Sequence, residues 1–124
     1  MESLMLYSKI YESIIERAKN RVLTEYSEKH HILPKCLGGT DVPENLVRLT
    51  FREHFLCHQL LCKMYPTNQK LIFAFSSMVR VSRKNSKRFD VLTSRHFEIV
   101  KKTLAPHIGK WNIGRTAWNK NMTG

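Results

Sequence analysis

The sequence predicts an α+β fold in which two short strands, a long connecting loop and a helix form a compact ββα unit over about residues 25–64, with further helices flanking it. Helical apolar periodicity marks four segments, at about 3–20, 51–64, 68–83 and 88–104. Between the first two segments that period is lost, and short apolar runs lie beside Pro34 and after Pro43. Four of the six histidines fall within residues 28–61, on the elements this pattern defines.

The first helix carries Leu4, Tyr7, Ile10, Tyr11, Ile14, Ile15 and Ala18 on one side. A strand through His31-Ile32-Leu33 is expected to end at Pro34, which cannot donate to a ladder and restricts the residue before it. Gly38-Gly39-Thr40-Asp41 is turn material within a longer loop. Leu46, Val47 and Leu49 make a second strand, and Thr50 with Glu53 three residues on forms a capping box. That box starts a helix at Phe51, which stops near Pro66. The third helix buries Leu71, Ile72, Phe75, Met78 and Val79, and the fourth uses Phe89, Leu92, His96, Ile99 and Val100 before Pro106. His96 reads as a core or boundary residue. Residues 1–107 are therefore expected to form one domain, followed at 108–124 by an aperiodic basic tail rich in Trp and Asn.

No apolar run is long enough to span a membrane. The N-terminal MESLMLYSKIYESII lacks a basic segment followed by an apolar one, so no secretory leader is expected. Cys36, Cys57 and Cys62 form no CxxC pair and are odd in number, as reduced cytoplasmic thiols would be. A net charge of +11, from 21 basic against 10 acidic residues, favours a polyanionic partner over a membrane surface. The cations concentrate in the second half: Arg80, Arg83, Lys84, Lys87 and Arg88, then Lys101 and Lys102, then Lys110, Arg115 and Lys120 in the tail. Trp111 and Trp118 are candidates for stacking on bases, or for docking back onto the body.

Adjacent histidines on an extended segment point to opposite faces, so one of His30 and His31 can bind a metal while the other acts as a base. His54 and His58, four residues apart on a helix, fall on one face and can close on the same ion. Asn45, at the start of the second strand, can bond to backbone across the loop and fix the hairpin that presents the base. Glu28 lies two residues before His30 on the same face, able to orient a ligand imidazole or an arginine. Arg48 and Arg52 stand near enough in sequence to touch a phosphate. Phosphodiester hydrolysis needs such parts: a base, a nucleophilic water and positive charge.

The segment HHILPKCLGGTDVPENLVRLTFREHFLCHQLL resembles the HNH endonucleases, also termed ββα-metal or His-Me finger enzymes, and is similar to small homing-type members encoded by bacteriophages. The paired histidines, an asparagine 14 residues after the second, a histidine nine residues later and another four beyond it carry the resemblance, over residues 25–64. It implies that His31 is the general base, that His30, His54 and His58 hold the metal, and that Asn45 fixes the loop. It further implies a metal-dependent DNA endonuclease leaving 5′-phosphate and 3′-hydroxyl ends, acting in the cytoplasm of the host cell if phage-encoded. One divalent ion is expected, with magnesium, zinc, manganese and nickel all open; three imidazoles favour the borderline metals. The cations assigned to DNA are Arg48, Arg52, Arg83, Lys84, Lys87, Arg88, Lys110, Arg115 and Lys120. Two other readings stay open: a non-catalytic nucleic-acid-binding domain with a structural metal, and an RNA-directed or toxin nuclease of the same fold. Target sequence, strand count of the cut and oligomeric state are not written in these residues.

Overall fold

The chain threads two strands between its first two helices, so that the hairpin is gripped from both sides. A computed structural model describes residues 2–80, 87–88 and 90–107. Helix α1 (Glu2–Lys19) buries Tyr11, Ile14, Ile15 and Ala18, the stripe that its sequence period marks. Strands β1 (Glu28–His31) and β2 (Leu46–Leu49) pair antiparallel, with His30 opposite Val47 and His31 opposite Leu46. Helices α2 (Phe51–Met64), α3 (Gln69–Ser77) and α4 (Ser94–Leu104) follow, and a one-turn 3-10 segment, Ala105–His107, ends the described chain. The architecture is α+β, with four helices and a two-stranded antiparallel sheet among the described residues. Among those residues no helix is long and apolar enough to cross a membrane.

Helix α2 lies at the centre because both of its long sides are apolar. Cys57, Leu60 and Leu61 join α1 and the hairpin in one cluster with Val47, Leu49 and Leu71. Phe51, Phe55 and Cys62 join Ile72, Phe75, Met78 and Val100 in a second. Between these two apolar faces α2 keeps a narrow strip on which polar groups can be held in fixed positions. His54 and His58 occupy that strip.

Three boundaries differ from those the sequence predicts. Strand β1 ends at His31 rather than running to Pro34: the Ile32 amide still donates to the opposite Asn45 carbonyl (2.8 Å), but the Asn45 amide turns away to the Val42 carbonyl (2.9 Å), and the Leu33 amide bonds the Asn45 side-chain oxygen (2.8 Å). The loop closes so tightly that a Cβ on Gly39 would lie 1.8 Å from the Leu33 carbonyl oxygen, which requires glycine there. Helix α3 ends at Ser77 and turns over Met78 and Val79, short of the expected 83. Helix α4 starts at Ser94, not near 88, because the imidazole of His96 accepts the Thr93 amide (3.0 Å) and caps it. The ring of His96 also packs edge-on to Phe51 and Phe55, which places it at the core boundary. Residues 81–86, Phe89 and the tail at 108–124 lie outside the described residues, and with them Arg83, Lys84, Lys110, Trp111, Arg115, Trp118 and Lys120.

The capping box that starts α2 is present as the sequence predicts: Thr50 Oγ1 accepts the Glu53 amide (3.2 Å) and Glu53 accepts the Thr50 amide (3.0 Å). The second partner of Glu53 is Arg21, and the hydrogen bond from that guanidinium holds the carboxyl below its ordinary value of 4.5. A depressed carboxylate contributes stability that is complete above the unfolded value and is lost as pH falls through the folded one. Glu53→Gln should therefore lower stability by about 1 kcal/mol at neutral pH, and by progressively less below pH 4.5, as measured by urea unfolding across pH. Identical losses for the variant at pH 7 and pH 3 would mean that the Arg21 pairing contributes nothing.

Candidate metal centre and active site

The alternation of β1 sorts its four residues by function. Glu28 and His30 point inward and are buried, Lys29 is exposed and His31 is half-buried at the mouth of the loop. The inward His30 meets His54 and His58, one helical turn apart on the polar strip of α2. One nitrogen of each ring lies within 4.8 Å of the other two. The Nε2 atoms of His54 and His58 are 3.2 Å apart, close to the spacing of about 3.3 Å expected for two imidazoles sharing a tetrahedral ion at about 2.0–2.1 Å.

The hydrogen bonds around this trio decide which nitrogens keep lone pairs. Tyr11 gives its one hydroxyl proton to the Ile32 carbonyl (2.7 Å), so at 2.7 Å from His30 Nε2 it accepts, and Nδ1 of His30 keeps the lone pair. His54 donates Nδ1–H to Glu28 (2.7 Å), which leaves Nε2 as its acceptor. Nδ1 of His58 is buried and has no hydrogen-bond partner among the described residues. If His58 carries its proton on Nε2, the Nδ1 lone pair is orphaned. If it carries the proton on Nδ1, two Nε2 lone pairs face each other. Either arrangement is costly for the protein alone, and a cation at the point of convergence relieves the second. Burial, reinforced by the neighbouring imidazoles, lowers His30 to about 2 and His58 to about 3, which keeps both in the neutral form a metal requires. The donor set therefore fits one divalent ion held by three imidazoles.

Glu28 anchors the arrangement. Its carboxylate takes His54 Nδ1–H, the Tyr26 hydroxyl and a two-pronged contact from Arg88 at 2.8 and 2.9 Å. Burial alone would raise its pKa, but hydrogen bonds from His54, Arg88 and Tyr26 outweigh that and pull it down to about 2. Arg88 is thus drawn inward, its side chain 11% exposed and its guanidinium over the Phe51 ring, and is not presented to DNA as expected. Arg52 also departs from expectation. Two residues before His54 is roughly 200° round a helix, so Arg52 opens into a separate groove between α2 and α4. Arg48 is exposed on β2 but bonded to Ser27 (3.0 and 2.9 Å), and Lys87 is exposed.

Asn45 closes the loop with three side-chain hydrogen bonds, one from the Leu33 amide and two to the carbonyls of Leu33 (3.0 Å) and Thr40 (2.8 Å). This staple brings Asp41 beside His31, where Oδ1 lies 2.7 Å from Nε2, while Oδ2 accepts from Lys35 at 2.7 Å. A carboxylate can only accept, so Nε2 of His31 carries a proton and Nδ1 is free to act as a base. His31 and the three other histidines line one open cleft of about 290 Å³. Tyr11, Tyr26 and Asp41 are site residues that the sequence reading passes over; Tyr11 meets His30 from 19 residues away through folding, while Tyr26 and Asp41 lie 2 and 10 residues from their partners. For Asp41 the spacing from His31 within a Gly-rich turn was the available signal.

Glu28→Gln should reduce affinity for zinc by about 10–100-fold, because the ring of His54 loses its orienting acceptor. It should also lower stability by about 3–5 kcal/mol, because Arg88 is left buried without its counter-charge. Calorimetric zinc titration and denaturant unfolding measure the two effects. Unchanged zinc affinity in a folded variant would remove Glu28 from the metal site.

No protein-family model and no solved structure match the chain. Among curated proteins it is 46% identical over 109 residues to probable mobile endonuclease E of Enterobacteria phage T4, a match spanning 87% of the chain and 70% of that protein. It is 41% identical over 102 residues to probable mobile endonuclease D of the same phage, spanning 78% of the chain and 39% of the relative. Against probable mobile endonuclease B the figures are 45% over 93 residues, 68% and 35%. The chain thus spans most of the first relative and well under half of the other two.

Proposed function

The chain belongs to the family of phage mobile endonucleases, and from that premise we propose that it is a metal-dependent endonuclease of the HNH, or ββα-metal, class that hydrolyses DNA phosphodiesters. The observation that carries this reading is the cleft in which three imidazoles converge beside a fourth histidine oriented by a carboxylate. His30, His54 and His58 hold the ion, with Glu28 and Tyr11 fixing two of the three rings. A divalent cation bound there supplies positive charge to a phosphate oxygen and to the departing 3′ oxygen. His31 takes the proton of the attacking water at Nδ1, while Asp41 accepts its Nε2–H and fixes the ring. Asn45 acts on geometry: by stapling Leu33 to Thr40 it sets the loop that carries Asp41 and keeps the base against the cleft. Zinc and nickel match the donor set best, and magnesium is compatible with turnover through its water ligands. Released ends would be a 5′-phosphate and a 3′-hydroxyl.

The test is plasmid cleavage under a panel of divalent ions with a chelator control, joined to metal titration of the variants. His31→Ala should lower cleavage by about 10²–10⁴-fold while leaving metal affinity within a few-fold of the parent. His54→Ala and His58→Ala should each lose metal affinity and cleavage together, and the bound ion should raise the melting temperature of the parent by linkage. Cleavage at the parental rate by His31→Ala would reject its role as base. Unchanged metal affinity in both α2 variants would reject the three-histidine site.

A further inference from the structure

We propose that Lys29 and Lys70 form a pair of phosphate clamps on opposite walls of the metal cleft, gripping the nucleic-acid backbone on the two sides of the scissile bond. The proposal rests on the nuclease reading above but is carried by separate observations. Lys29 projects from the same outward face of β1 as His31, two residues away, and Lys70 comes from the first turn of α3; both line the cleft that holds His30, His54 and His58.

Each lysine sits where the fold itself disfavours a cation. The strand register puts Lys29 directly opposite Arg48, a like-charge cross-strand pair that weakens the hairpin. Arg48 turns aside to Ser27, which leaves Lys29 facing the cleft without a counter-ion. Lys70 stands at the positive end of the α3 dipole, in a first turn that holds no acidic residue to offset it. Among the described residues neither lysine makes an ion pair or hydrogen bond. Lys35, the third lysine of the cleft, differs in being paired with Asp41 at 2.7 Å. Two cations placed against local electrostatics, unpaired and bordering the reactive groups, are matched by one kind of ligand, a chain of phosphates. Its binding relieves the Lys29–Arg48 repulsion and the Lys70–dipole repulsion together.

Lys29→Gln, Lys70→Gln and the double variant would be tested in the full chain, with Lys9→Gln on α1 as a control for loss of one positive charge elsewhere. Binding of a DNA duplex in chelator would be followed by fluorescence anisotropy over a range of salt. Each cleft variant should lower the slope of log affinity against log salt by about 0.9, weakening binding roughly eightfold at about 0.1 M salt. The double variant should show the sum, and the control little change. Hydrolysis of bis(p-nitrophenyl) phosphate, a diester with no flanking phosphates, should fall much less than plasmid cleavage by the same metal-loaded variants. An unchanged salt slope in the double variant overturns the proposal, as does an equal loss from the Lys9 control or an equal loss on both substrates. A parent that hydrolyses neither substrate with any ion contradicts the nuclease reading, while the anisotropy arm still decides the clamps.

Discussion

The buried carboxylate of Glu28 ties together three parts of the chain that are far apart in sequence. It sits on β1, holds His54 of α2 through one oxygen, and receives Arg88 from the segment before α4 through both. Sixty residues of sequence separate Glu28 from Arg88, so closing this contact restrains α3 as well. An isolated buried carboxylate is among the most unfavourable groups a fold can hold. Here it is tolerated because each lone pair meets a donor, and its depressed pKa shows that those donors outweigh desolvation. Loss of any one donor unbalances the rest, which makes the metal site and the fold one cooperative unit.

The histidines show the same low-dielectric surroundings acting in the opposite direction. Burial drives His30 and His58 toward neutrality, and neutral imidazoles in a dry site have lone pairs that water cannot satisfy. Nδ1 of His58 marks that imbalance, a buried polar atom with no hydrogen-bond partner among the described residues. Outside the dry site, half-exposed His31 leans on a surface carboxylate and keeps access to solvent. The alternation of a four-residue strand thus separates the environment proposed for a metal ligand from that proposed for the base across one peptide bond.

Much of this was legible in the sequence where local rules govern. The start of α2 is written in Thr50 and Glu53, its end in Pro66, and the inward and outward sorting of His30 and His31 in the period of two. The backbone role of Asn45 follows from its place across the loop from the first strand. What local rules do not carry is the identity of long-range partners. Arg88 looked like one more cation in a basic run, but a buried acid 60 residues away claims it. Tyr11 was visible as a core position, whereas its hydroxyl contact with His30 depends on how α1 lies across the hairpin. The early end of β1 has the same origin, since the Asn45 backbone amide donates to Val42 and its side-chain oxygen accepts the amide of Leu33.

The central claim is that the folded chain presents three imidazole nitrogens, and no other protein atoms, to one ion. X-ray absorption at the metal edge of the zinc-loaded protein tests it most directly. The account predicts three histidine nitrogens at about 2.0–2.1 Å with the outer-shell scattering of imidazole rings, plus light-atom ligation from solvent, and one histidine fewer in His58→Ala. Sulfur scattering at about 2.3 Å, or a spectrum unchanged by His58→Ala, would contradict it.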